Sequence, residues 1–108
     1  SDLLNAPVAR VVEAMIKQRV EPVFMSGRDS IARTRTQNWL NQHEFSGYPL
    51  FMRALNDRRK DSVVKEELLR AHIFGKFNIL FCLDDRDQVV SHYRSLGLTV
   101  FQVAPGNF

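Results

Sequence analysis

Short apolar runs alternate with helical patterns about every 25 residues along this chain, a rhythm that commits it to a parallel sheet with crossover helices. Asn5 is placed to cap a helix over residues 6–19. Pro7 falls in its tolerated first turn, and Val8, Val11, Val12, Met15 and Ile16 recur at helical spacing. A strand is expected over 21–25, a helix over 31–43 with Trp39 and Leu40 turned inward, and a short strand over 49–52. Asp61 or Ser62 caps a third helix that runs through His72. The apolar run 78–83 reads as a strand ending at Asp84, and 86–96 as a helix closed by a left-handed Gly97. Residues 99–103 form the last strand. The expected architecture is a small three-layer α/β/α sandwich forming a single domain over 1–108.

With 108 residues the chain can bury one real core but not two. No apolar stretch approaches the ~20 residues that a membrane span requires, and no signal peptide is visible, so a membrane is not among the expected partners. The lone Cys82 sits among apolar neighbours, which rules out a disulfide framework and points to an intracellular, cytoplasmic protein. A net charge of +3 and a pI near 9.4 mildly favour polyanions. The charge is clustered. Arg28, Arg33 and Arg35 follow the first strand, and Arg53, Arg58, Arg59 and Lys60 form a second group.

Two strand ends carry the chemistry. Asp84-Asp85 closes the run over 78–83, and adjacent carboxylates there suit a hard, oxygen-seeking cation such as Mg2+. The other run, Val23-Phe24-Met25, ends in Ser26-Gly27-Arg28, placing a hydroxyl, a permissive backbone and a guanidinium where a phosphate could sit. Ligands in open α/β sheets bind outside the carboxyl ends of strands. Lys65 lies one turn beyond Asp61, so the two share a helix face. Spacing alone leaves two accounts of that pair. One is a surface ion pair worth well under ~1 kcal/mol; the other is a phosphate-binding Lys65 with Asp61 orienting it or touching the metal. His43, His72 and His92 lack metal-ligand spacing. Trp39 reads as core rather than as a base-stacking platform. Of Glu66 and Glu67, one is expected on the helix surface and one beside an arginine.

Several strings together resemble the 3'-phosphatase domain of bacteriophage and bacterial polynucleotide kinases, a branch of the haloacid dehalogenase (HAD) superfamily. They are Phe24-Met25-Ser26-Gly27-Arg28, Trp39-Leu40, Arg59-Lys60-Asp61 with Val63-Val64-Lys65-Glu66-Glu67, Asp84-Asp85-Arg86-Asp87-Gln88-Val89-Val90, and Gly97-Leu98 leading into Phe101-Gln102-Val103-Ala104. The resemblance implies a Rossmann-like HAD fold and Mg2+-dependent hydrolysis of a 3'-terminal phosphate on DNA or RNA. By it Ser26 hydrogen-bonds a phosphoryl oxygen, Lys65 balances charge, and Asp84 and Asp85 hold Mg2+. Arg28 and Asp61 match positions near the phosphate, and Arg33, Arg53 and Arg59 from the basic clusters hold the nucleic-acid strand. Implied partners are nucleic-acid 3'-phosphate ends and an upstream kinase domain in the same polypeptide.

One departure matters. HAD phosphatases attack with an aspartate in an Asp-x-Asp-Gly-Thr motif, and this sequence contains none; Asp2 stands in Ser1-Asp2-Leu3-Leu4 without the partner residues. The expectation is therefore a fragment of a longer chain, lacking its first strand, with a phosphate and metal half-site and little turnover of its own. Two other functions compete: a HAD phosphatase of small phosphomonoesters, and a non-catalytic α/β module that binds phosphate or nucleic acid.

Overall fold

A computed structural model describes residues 6–108, so the expected cap Asn5 and the isolated Asp2 lie outside the described residues. The chain packs as two compact units that meet in sequence between Asp57 and Arg58.

In the first unit α1 (Ala6–Lys17) buries Val8, Ala9 and Val12 at the spacing read from the sequence. Strand β1 spans Phe24–Asp29, longer and later than expected, and pairs in parallel with β2 (Leu50–Arg53). The ladder is regular at Phe24↔Leu50, Met25↔Phe51 and Ser26↔Met52, then shifts to Asp29↔Arg53. Gly27 and Arg28 are thus bulged out of a strand that continues beyond them, a device common beside functional sites. Alternation along β1 puts Phe24 and Ser26 on the same inward face. A 3-10 turn (Ser30–Ala32) opened by the Asp29 side chain leads into α2 (Arg33–Gln42). Leu40 is fully buried, whereas Trp39 remains half-exposed and packs 4.1 Å from the His43 ring. Phe24 and Phe45 stack at 5.5 Å to complete this core.

In the second unit α3 (Asp61–His72) and α4 (Asp87–Ser95) accompany β3 (Cys82–Asp84) and β4 (Val100–Gln102), which pair in parallel. Val64, Leu69, Ile73, Val89, Val90, Tyr93 and Val100 form its core. Only the end of the apolar run 78–83 becomes strand. β4 offers just three residues to pair with, and Leu80, left without a ladder, is 58% exposed. Asp61 is the first helical residue rather than the cap; Lys60 holds the cap position with no side-chain bond.

Helices α1, α2 and α4 end by one rule. Gly97 (φ 88°) closes α4 with Leu98 N–H donating to the Tyr93 carbonyl and Gly97 N–H to that of Arg94. This is the paired Schellman bonding that a left-handed residue permits. Arg19 (φ 64°) and Glu44 (φ 62°) close α1 and α2 with the same pair of bonds.

Candidate functional site

The second unit gathers its charges around the carboxyl end of β3. Lys65, one turn into α3, is 5% exposed, and its Nζ lies 2.8 Å from Asp84 Oδ2 and 3.4 Å from Asp61 Oδ2. Asp61 is equally buried at 4%. The spacing of Asp61 and Lys65 therefore makes a buried ion pair, not the surface pair that was the alternative. Burial decides its worth: exposed pairs contribute little, whereas a buried charge stripped of its partner is costly. Asp84 is held at both oxygens, Oδ1 accepting the Arg86 backbone N–H at 3.0 Å.

Arg86 is the member sequence reading passed over. Its guanidinium approaches Asp61 Oδ2 at 3.4 Å from one side and lies 4.7 Å from the Phe108 ring centroid on another. Gln102, on β4, donates to the Asp85 carbonyl and to the Asp87 carboxylate. Gly106 packs so closely that an added Cβ would sit 1.9 Å from the Asp85 carbonyl oxygen, and its own carbonyl accepts the Asp87 N–H at 2.7 Å. The segment 102–108 thus clasps the turn bearing Asp84, Asp85 and Arg86. The signal for Arg86 was its place directly after the acidic pair; nothing in sequence announced the clasp.

Burial, helped by the nearby carboxylates, moves two neighbouring groups. Burial first, then the Asp84 charge, pushes the Cys82 thiol up to about 11. The same two causes, with smaller contributions from Cys82 and Asp61, lift the Tyr93 phenol far above its usual range, so it stays neutral.

The first unit places its expected residues as follows. Ser26 is wholly buried, and its Oγ accepts the Arg28 backbone N–H at 3.1 Å across the bulge. Accepting there leaves the hydroxyl hydrogen to donate elsewhere. Arg53 donates from Nε to the Gly27 carbonyl at 2.8 Å and from Nη1 to the Asp57 carbonyl at 3.0 Å, bracing the bulge that carries Arg28. The Arg28 and Arg33 side chains are exposed. In the second unit Arg59 grips Glu67 through two parallel bonds, Nη1–Oε1 at 2.5 Å and Nη2–Oε2 at 2.6 Å. Glu66 is held by Arg70 at 2.7 Å and by His92, and those two hydrogen bonds depress its carboxyl.

Among the described residues no three His, Cys, Asp or Glu side chains converge to enclose a metal ion. A Mg2+ ion does not need such a cage: it keeps several waters and takes one or two carboxylates plus substrate oxygens. The oxygen-only pair Asp84 and Asp85 fits that demand, although Asp84 already serves Lys65 and the Arg86 amide.

Comparison with known proteins places the chain in a family. A family model described as the polynucleotide kinase PNKP phosphatase domain matches residues 1–108. The chain is 41% identical over 83 residues to a "Putative bifunctional polynucleotide kinase/RNA ligase" of Autographa californica nuclear polyhedrosis virus, covering 75% of this chain and 12% of that protein. Among solved structures, a chain of a Pnkp1/Rnl/Hen1 RNA repair complex superposes with a TM-score of 0.90 at 42% identity, covering 100% of this chain and 35% of that one. A second Pnkp1/Rnl/Hen1 complex gives 0.91 at 42% identity, with 99% and 37% covered. The chain therefore spans a small part of the relatives it matches, and its α/β fold is HAD-like. With the model covering every residue and the relatives sharing two-fifths of the sequence, this chain belongs to the polynucleotide kinase PNKP phosphatase domain family.

Proposed function

We propose that this chain is the phosphate- and metal-gripping part of a polynucleotide 3'-phosphatase, acting with Mg2+ on the terminal 3'-phosphate of a nucleic acid. The buried Lys65, held between Asp61 and Asp84 at the end of β3, carries this reading. A lysine kept out of water by two carboxylates is a poor stability device but a fixed positive charge for a phosphoryl group. In this reading Ser26 donates its hydroxyl hydrogen to a phosphoryl oxygen and Arg28 neutralises a second. Asp61 aims Lys65, and Asp84 and Asp85 would hold Mg2+. When bound, that ion offsets negative charge on the phosphoryl oxygens. Arg33, Arg53 and Arg59 contribute positive charge for the nucleic-acid backbone; Arg59 must exchange Glu67 for phosphate to do so.

The sequence holds no Asp-x-Asp-Gly-Thr string, so the attacking aspartate is assigned to a segment outside these 108 residues. Its carboxylate oxygen bonds to phosphorus as the bond to O3' breaks. The 3'-oxygen takes up a proton, and water then cleaves the acyl-phosphate to release inorganic phosphate and the free carboxylate. RNA ends are the favoured substrate, because the relatives are named for an RNA ligase and for RNA repair complexes. A cytoplasmic setting accords with the single free thiol and with the finding that no described helix is long and apolar enough to cross a membrane.

Phosphate release from 3'-phosphorylated RNA, 3'-phosphorylated DNA and a mononucleotide tests the proposal. The 108 residues are assayed alone and joined to a segment bearing the aspartate motif. Release is expected only from the joined form, faster on the oligonucleotides and suppressed by added salt as backbone contacts are screened. Robust release by the 108 residues alone would contradict the assignment of the nucleophile. Equal or faster turnover of the mononucleotide would instead favour a phosphatase of small phosphomonoesters.

A further inference from the structure

The first unit holds an open cavity of about 670 Å3 that none of the roles above uses. It lies against one face of α2, where Arg35, Asn38, Trp39 and Gln42 follow one another at the i, i+3, i+4, i+7 spacing that puts side chains in one row. Asp29 and Ile31 close it from the 3-10 side. The helix's buried residues, Thr36 and Leu40, lie elsewhere on its circumference; within the row, Trp39 also packs against the His43 ring.

The chemistry of the lining is specific. Trp39 is the sequence's sole tryptophan and is left half-exposed. Ile31, 77% exposed, adds a large apolar side chain on the other side of the cavity's lining. Beside these apolar surfaces stand two primary amides, a carboxylate and a guanidinium. A flat aromatic ring with amide donors and acceptors at its edge is what a nucleobase meets in single-strand recognition: stacking on the face, hydrogen bonds to the rim. The volume falls within the ~300–1,000 Å3 usual for small-ligand sites. Asp29 also closes β1, the strand that carries Ser26 and Arg28, so the cavity opens where the phosphate-binding strand ends.

We infer that this cavity receives the base of the nucleotide bearing the terminal 3'-phosphate. Trp39 and Ile31 supply the stacking surface, Asn38, Gln42 and Asp29 read the base edge, and Arg35 neutralises the adjoining phosphodiester. The inference rests on the 3'-phosphatase reading and deepens it: the site would recognise a nucleotide end, not a phosphate alone.

Trp39 emission reports directly on this contact without any turnover. The chain is titrated with a 3'-phosphorylated oligonucleotide, the same strand with a 3'-hydroxyl, the same 3'-phosphorylated strand abasic at its last position, and inorganic phosphate. The expected result is strong quenching by the first, weak or none by the abasic strand, and none by phosphate. Trp39→Ala, with binding followed by a labelled strand, should weaken affinity roughly 5- to 150-fold, the range that base–aromatic stacking commands, and Trp39→Phe should recover most of it. Ile31→Ser, at an exposed position that cannot unfold the chain, should weaken binding in the same direction.

A strand that binds with unchanged Trp39 emission, or an abasic end that quenches as well as a complete one, would overturn the inference and leave the phosphatase reading standing. Quenching that depends on the base but is indifferent to the 3'-phosphate would support the base pocket and count against the phosphatase reading.

Discussion

Replacing Lys65 by methionine removes a positive charge shared by the Asp61 and Asp84 carboxylates while keeping most of the volume. Asp61 and Asp84 both touch Nζ, so their oxygens can be no farther apart than the two contacts laid end to end, about 6 Å. At an effective dielectric constant of ~20 two unit charges at that separation repel by about 3 kcal/mol. Stripping a buried ion pair of one member costs about 3–5 kcal/mol in general. Arg86 still approaches Asp61 at 3.4 Å, which places the expected loss at the lower end of that range. Typical domains are stable by only ~5–15 kcal/mol, so such a loss would be plain in urea denaturation. Far-ultraviolet circular dichroism is the right probe, because it reports directly on the helices α3 and α4 of this unit. Adding Asp84→Asn to Lys65→Met should recover much of the loss, since it removes the repulsion the first substitution exposed. A destabilisation under ~1 kcal/mol, or a double variant no more stable than the single one, would refute the claim that this lysine is a desolvated counter-ion.

Three further outcomes are expected. Cys82 should react slowly with iodoacetamide at pH 8, because a thiol raised from 9.0 to about 11 holds only about one-hundredth of the usual thiolate. The folded state retains that proton more tightly than the unfolded one, so the Cys82 contribution to stability is complete below pH 9 and is lost as pH rises toward 11. A pH–stability curve flat across that interval would deny it. Gly106→Ala forces a Cβ to within 1.9 Å of the Asp85 carbonyl, a backbone atom that cannot swing aside. A loss of about 1–3 kcal/mol is expected by thermal denaturation, together with displaced amide resonances for Asp85 and Arg86, and an unperturbed spectrum would contradict the clasp. Glu44→Gly should stabilise the chain by about 1 kcal/mol, because Glu44 sits at φ 62°, where a side chain costs about that much; Gly97→Ala should do the reverse.

The sequence was most legible where one local cause fixes one local result. Apolar spacing located α1, the residues after Asn5 included, and Gly97 announced the end of α4 because a left-handed cap favours glycine. Arg19 and Glu44 adopt the same conformation without that signal, held by the Schellman bonds around them, so the ends of α1 and α2 were less sharply readable. The run 78–83 misled in length, since apolar character suits a strand but ladder partners define one, and β4 is short. At the site, the i, i+4 spacing of Asp61 and Lys65 revealed a shared face but not its burial, which depends on where Asp84 and Arg86 arrive from distant elements. The Gly27–Arg28 bulge was invisible for a similar reason: it exists only relative to the register of β2.

The most direct test of the account is the Mg2+ dependence of phosphate release from 3'-phosphorylated RNA, measured for the aspartate-bearing form with and without Asp85→Asn. Asp85 is partly exposed, so the substitution spares the core. The account predicts that the variant needs at least tenfold more Mg2+ or loses at least tenfold in rate, as removal of a metal-holding carboxylate should bring. Superimposable Mg2+ curves for the two proteins would contradict the assignment of the end of β3 as the metal- and phosphate-gripping site.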